Sequence, residues 1–241
     1  MQTSILNTGA LPQEAIVMLL NADLTIRTAI HAGRQNWVAS PAKGVERRML
    51  FRIGEEKARA TSIVRYAAQS RFPWHMHPGG EEFMVLEGVF QDEGGDYPAG
   101  SYVRNPPGTR HTPASEAGCV IFVKLWQFRQ DDLERVIYLP GKDDAQQKGV
   151  NKATSIGLFN NTHEHVALKY WPPESPFQIE NPEGLELLIV SGSFTDGQET
   201  FEPLSWLRLP PGMNLNAHAE SGGCQVWMKA GPSLPDNICE F

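Results

Sequence analysis

The chain is written twice, and no other feature limits its fold so strongly. At a displacement of 104 positions, the run from His77 to Phe90 falls without a gap on the run from Asn181 to Phe194. Pro106, Pro107 and Gly108 fall on Pro210, Pro211 and Gly212 in the same register. Tyr66 meets Tyr170, Asp92 meets Asp196, Arg104 meets Arg208 and Gly118 meets Gly222. One residue later the register slips, so that Cys119 and Lys124 meet Cys224 and Lys229. Two copies at this period are too long to be solenoid repeats and imply two units of one fold. The expected units are residues 1–140 and 141–241, joined by the polar stretch from Gly141 to Lys152.

Both copies read as β structure. Ala60 to Tyr66, Phe83 to Leu86 and Val120 to Trp126 are short runs rich in β-branched and aromatic residues. Between them lie turn signals at Pro78-Gly79-Gly80, Gly94-Gly95, Pro98-Ala99-Gly100 and Pro106-Pro107-Gly108. Only Pro12 to Leu20 has a helical pattern. Many short strands separated by such turns indicate an all-β sandwich or barrel.

The first copy carries a metal-ligand constellation. His75 and His77 are two apart, which on a strand places both imidazoles on one face. Glu81 opens the next strand, and His111 follows the Pro-Pro-Gly turn by three residues. Three imidazoles and a carboxylate suit one divalent ion, Zn(II), Fe(II), Mn(II), Ni(II) or Cu(II). They leave an octahedral ion one or two open positions, and they satisfy zinc alone. Glu82 is the neighbouring carboxylate, but the strand period turns it to the opposite face. Its counterpart Glu186 persists in the second copy, where the ligands become Ile179, Asn181, Leu185 and Leu215. A residue kept where the site is lost has a structural job, so Glu81 is the expected ligand. The second unit is expected to hold no metal and to have an apolar interior.

Other histidines do not restore the second site. His218 aligns with Ala114 rather than with His111. His163 and His165 fall opposite Arg59 and Thr61, one strand too early, and are expected at the surface or on an edge strand. His31 has no partner in the sequence. Around the first site, Arg104 and Tyr102 have counterparts in Arg208 and Trp206 and are expected to be structural. Arg110 and Trp74 face Asn214 and Gln178 instead, so they are the candidate substrate-binding residues, suited to an anionic or aromatic ligand. No catalytic residue is assigned.

The spacing His75-x-His77-x3-Glu81-x6-Gly88, followed by Gly100-x5-Pro106-x-Gly108-x2-His111, resembles the two signature motifs of the cupin superfamily. The resemblance implies two tandem jelly-roll β-barrels with His75, His77, Glu81 and His111 as metal ligands. Ser115 stands where the second motif usually has Asn. From Arg47 to Phe128 the chain more closely resembles the cupin domain of ChrR-type anti-sigma factors. The likeness rests on His75 to Gly88, Asp96 to Tyr102, Asn105 to Pro113, and Gly118-Cys119. It implies a zinc-binding regulatory or stress-sensing module. Those factors hold the sigma factor through a separate His-x3-Cys-x2-Cys domain, a motif absent from this sequence, so sigma-factor binding is not carried over. The same cupin type resembles small Fe(II) dioxygenases that cleave diketones or hydroxyacetophenones, which is the alternative function. A third option is a metal- or ligand-binding bicupin without turnover.

Composition narrows the partners. The net charge is −7, and no run of five Lys or Arg occurs, which argues against nucleic acid. The apolar stretch Ala15 to Leu20 is too short to cross a bilayer and lacks a signal-peptide pattern, so a cytoplasmic protein with no membrane partner is expected. Cys119, Cys224 and Cys239 are too few and too scattered for a disulfide framework. The expected partners are a small molecule at the open metal positions, a protein partner and a second copy in a homodimer.

Overall fold

The structure is a computed structural model that describes residues 18–55, 57–141 and 151–241. The connecting stretch 142–150 lies outside the described residues, as does most of the helical pattern expected over Pro12 to Leu20. The end of that pattern is corrected: Leu19–Leu20 is a strand paired with Ile53 and Arg52. Apart from one 3-10 turn, Ala32–Arg34, the regular structure of the described residues is β. Among them no helix is long and apolar enough to cross a membrane.

The first half forms a sheet whose main path runs through Leu19–Leu20, Val45–Gly54, Ala58–Tyr66, Cys119–Leu125, Glu81–Asp92, Tyr102–Asn105 and Val136–Tyr138. The second half repeats it through Thr154–Asn160, His165–Trp171, Leu215–Ala230, Leu185–Thr195, Ser205–Leu209 and Thr28–His31. The last strand of each path sits at the same place. Val136–Tyr138 pairs with Tyr102–Asn105, and Thr28–His31 pairs with Ser205–Leu209. The second half thus takes an edge strand from the beginning of the chain.

Strand alternation divides the side chains between two kinds of core. On Glu81–Asp92, Phe83 and Val85 turn inward to meet Phe90, Tyr97, Val103 and Ile121. Met84 turns the other way, into a core shared by the two halves, with Ile63, Phe122, Leu168, Leu188, Trp206 and Trp227. The Phe122 and Trp227 rings meet edge to face across that core at 4.9 Å. Each fully buried aliphatic or aromatic side chain there contributes about 2–3 kcal/mol. The second half has its own inner core, including Ile179, Leu185, Leu187, Phe194 and Leu215.

The pairing also corrects the repeat. Cys119 stands opposite Tyr66, and Cys224 stands opposite Trp171, so Tyr66 corresponds to Trp171 and not to Tyr170. The connection after Trp171 is one residue shorter than the one after Tyr66, which restores the displacement of 104 by Ile179. Gly88 and Gly192, each with φ of +70°, stand two residues beyond matching bulges at Leu86 and Val190. A Cβ would fall 2.1 Å from the Gly118 carbonyl oxygen in one and 2.0 Å from that of Gly223 in the other, so only glycine fits.

Candidate metal centre

His75–His77 and Thr109–His111 pair antiparallel, with His111 opposite His75 and Arg110 opposite Met76. Residues directly opposite share a face, so His75, His77 and His111 point one way and Met76 and Arg110 the other. The Pro78-Gly79-Gly80 turn then brings in Glu81, which stands opposite Asn105. The imidazole rings lie with centroids 4.8, 4.9 and 5.1 Å apart. One ring nitrogen from each falls within 4.8 Å of the others. His77 Nε2 is 3.0 Å from His111 Nε2, and Glu81 Oε2 is 3.6 and 3.5 Å from those two atoms. Donors about 2.1 Å from a shared ion stand about 3.0 Å apart at a right angle and about 3.4 Å apart at the tetrahedral angle. The measured separations fall close to that range.

The outer nitrogens fix the tautomers. His75 Nδ1 faces the Pro73 carbonyl oxygen at 3.0 Å, which can only accept, so Nδ1 carries the proton. His111 Nδ1 faces Asp92 Oδ2 at 3.2 Å and donates to it. In the neutral rings both Nε2 lone pairs are left bare, as metal binding requires. Asn105 Nδ2 donates to Glu81 Oε2 at 3.3 Å and orients the carboxylate.

Burial lowers the basicity of His77 and outweighs the neighbouring Glu81 charge. Burial acts the same way on His111, but the Asp92 hydrogen bond and the Glu81 and Asp92 charges prevail and raise it. Asp92 itself is raised by burial and lowered by His111, the Gly94 N–H and the Tyr97 hydroxyl, with a net fall. Asp92 and Asn105 escape a reading of the sequence as positioning residues. Asp92 recurs as Asp196 in the second half, where it pairs with Arg27 at 2.7 Å, so the repeat disguises its local role.

His75, His77 and Glu81 border a cavity of about 420 Å³ whose wall includes Tyr66, Phe72, Val123 and Leu125. Burial, and then the Glu81 charge, hold the Tyr66 phenol in its protonated form. Arg110 and Trp74 are not part of that wall. They stand on the outer face, where the Arg110 guanidinium lies 5.8 Å from the Trp74 ring and Trp74 is 55 % exposed. The strand period that directs the histidines inward directs Arg110 outward. Tyr102 and Arg104 are also away from the site. The Tyr102 hydroxyl donates to Glu82 at 2.6 Å, and Arg104 pairs with Asp132 at 2.6 Å and with Glu164.

In the second half, Ile179 stands opposite Leu215 in the register that His75 and His111 share. Leu185 stands opposite Leu209, as Glu81 does opposite Asn105. Trp171 and Phe177 stack at 3.9 Å inside this half. Asn181 clamps a turn, donating to the Pro210 and Met213 carbonyl oxygens at 2.8 and 3.1 Å and accepting the Gly184 N–H at 2.7 Å. This set offers no metal-binding group. His163 is exposed in a turn, but His165 opens a strand paired on both sides, which corrects its expected edge position. His31 fastens the Thr28–His31 strand, with Nε2 2.7 Å from Glu199 and Nδ1 3.0 Å from Ser205 Oγ.

Residues 25–129 match the family model described as the ChrR Cupin-like domain. No curated protein sequence matches the chain. Among solved structures, the chain is similar to a proposed dioxygenase from Nostoc punctiforme, with 14% identity, a TM-score of 0.64, and coverage of 91% of this chain and 87% of that one. It is similar to the bacterial pirin YhhW from Escherichia coli in complex with nickel(II), with 14% identity, a TM-score of 0.64, and coverage of 86% and 100%. It is also similar to a Cupin 2 conserved barrel domain protein from Leptotrichia buccalis, with 11% identity, a TM-score of 0.56, and coverage of 85% and 96%. The chain has the all-β cupin fold, and its first half carries the match to the ChrR Cupin-like domain.

Proposed function

We propose that this chain is a metal-dependent regulatory cupin. One divalent ion, Zn(II) or Fe(II) before Mn(II) or Ni(II), is held by His75, His77, Glu81 and His111, and the second half serves as a scaffold. The observation that carries the reading is the orientation of His75 and His111, whose outer nitrogens donate to Pro73 and Asp92 and leave both inner nitrogens free to ligate. The bound ion would supply an open coordination position at the floor of the cavity, where a small molecule can be sensed. The match of residues 25–129 to the ChrR Cupin-like domain supports the regulatory role.

Elemental analysis of protein purified without added metal is expected to give one ion per chain, and none in the His75→Ala/His111→Ala variant. A double variant that keeps its metal would sink the assignment. The access that the cavity gives to the ligands also favours a second reading, an Fe(II) dioxygenase acting on a diketone or hydroxyacetophenone. Oxygen uptake by the Fe(II) form with such substrates separates the two, since a pure sensor consumes none.

A further inference from the structure

The cavity beside the ligands carries a charge that metal binding does not explain. Its wall receives Arg47 and Arg52 from the Val45–Gly54 strand, and among the described residues Glu81, a proposed metal ligand, is the only carboxylate on it. Backbone carbonyls of Gly54 and Glu55 accept hydrogen bonds from the Arg52 guanidinium. Arg47 is different. Its Nε is buried and has no hydrogen-bond partner. The charged neighbours on either side lie on the other face: Glu46 pairs with Arg65, and Arg48 stacks on Trp37 at 4.2 Å. Strand alternation instead turns Arg47 toward the cavity, whose wall it forms together with Arg52. A guanidinium on a cavity wall with no ion pair to a carboxylate can hold an oxyanion through its terminal N–H groups by charge-assisted hydrogen bonds. The remaining wall is apolar at Val45, Val64, Val123 and Leu125, which disfavours a bare inorganic anion.

We propose that this cavity takes a small organic carboxylate. Its carboxylate pairs with Arg47, its apolar body packs on Val64, Val123 and Leu125, and a second oxygen faces the histidine ligands. The proposal rests on the reading of the first half as a metal centre and names the ligand class of that centre. Arg47 is its specificity-determining residue.

The test is calorimetric titration of the full chain loaded with Zn(II). The probes are phenylpyruvate, 4-methyl-2-oxopentanoate, the methyl ester of each acid, and inorganic phosphate. The wild type is expected to bind at least one acid more tightly than its ester. Arg47→Gln is expected to weaken acid binding about ten- to hundredfold, with metal content and ester binding unchanged. Arg47→Lys, which keeps the charge but not the fork, is expected to restore part of the loss, and it replaces Arg47→Gln if that variant fails to fold. Equal acid binding by wild type and Arg47→Gln overturns the proposal, as does the absence of acid binding by the loaded wild type. Phosphate binding as tight as that of the acids overturns the choice of a carboxylate. A chain that takes up no metal overturns the metal reading instead. Acid binding that still depends on Arg47 in that chain keeps the Arg47 assignment and removes the ion from it.

Discussion

Glu82 of the first half and Lys229 of the second stand 2.9 Å apart inside the shared core, and Glu186 and Lys124 repeat the pairing in reverse at 2.5 Å. The two pairs are not equally supported. Lys229 also holds Glu164 at 2.7 Å, whereas beyond Glu186 the Lys124 ammonium has only the Thr61 hydroxyl, at 3.4 Å. Glu186→Leu therefore leaves Lys124 buried without a direct ion-pair partner, with Glu82 acting on it only through space, and is expected to cost about 3–5 kcal/mol. Glu82→Leu is expected to cost less. Adding Lys124→Met to Glu186→Leu is expected to recover most of the loss. Urea unfolding of the variants measures this, and a double variant as unstable as the single one would contradict it.

Asp92 fixes the ring of His111 without touching the metal position. Asp92→Asn removes the charge behind the imidazole and is expected to weaken metal affinity about 10- to 100-fold. Competition with a chromogenic chelator reads the change. Unaltered affinity would mean that the 3.2 Å contact has no part in ligation.

Protons and metal compete for the same nitrogens. His111 is raised above the ordinary 6.5, so folding favours its protonated form. Its contribution to the metal-free fold is complete below 6.5 and is lost as pH rises through the raised value. Metal binding has the opposite sign, because it needs the neutral ring. Affinity is expected to reach its plateau above the raised value and to fall as pH drops below it. In Asp92→Asn, the fall is expected to begin at lower pH. Chelator titrations from acid to neutral pH test both, and an affinity flat across that window would refute them.

Gly88 and Gly192 hold the same position, two residues beyond a bulge, in the two halves, and a Cβ at either meets a carbonyl oxygen. Gly88→Ala and Gly192→Ala are each expected to cost about 2–3 kcal/mol through strain and displacement of the facing strand. Gly212→Ala is the control: its φ is +82°, but a Cβ there meets nothing within 4 Å. Equal melting temperatures for Gly88→Ala and Gly212→Ala would refute the contact argument.

Much of this architecture is written locally. The two-residue spacing of His75 and His77, and the turn before His111, fix an inward face by strand period alone. The separation of Glu81 from Glu82 follows from the same alternation, read against the persistence of Glu186. Arg110 fails for a related reason: comparison with Asn214 shows that it differs between the copies but not which way it points. Its register opposite Met76, which settles that, depends on long-range pairing. Asp92 and Arg47 lie far along the chain from His75, His77 and His111. No spacing rule links them to the site, and only closure of the sheet brings them near it. The one-residue slip at Tyr66 is invisible because Tyr170 offers a chemically plausible match beside the true counterpart, Trp171.

The edge strand that the second half takes from the beginning of the chain has a consequence for how the chain is inherited and handled. Thr28–His31 completes the second sheet from a position ahead of every strand of the first except Leu19–Leu20. No cut between residues 31 and 154 yields two pieces that each hold their full complement of strands. The half without the candidate ligands therefore cannot be shed by truncation, because part of its sheet is encoded upstream of the half that carries them. Selection on the metal site alone would preserve both.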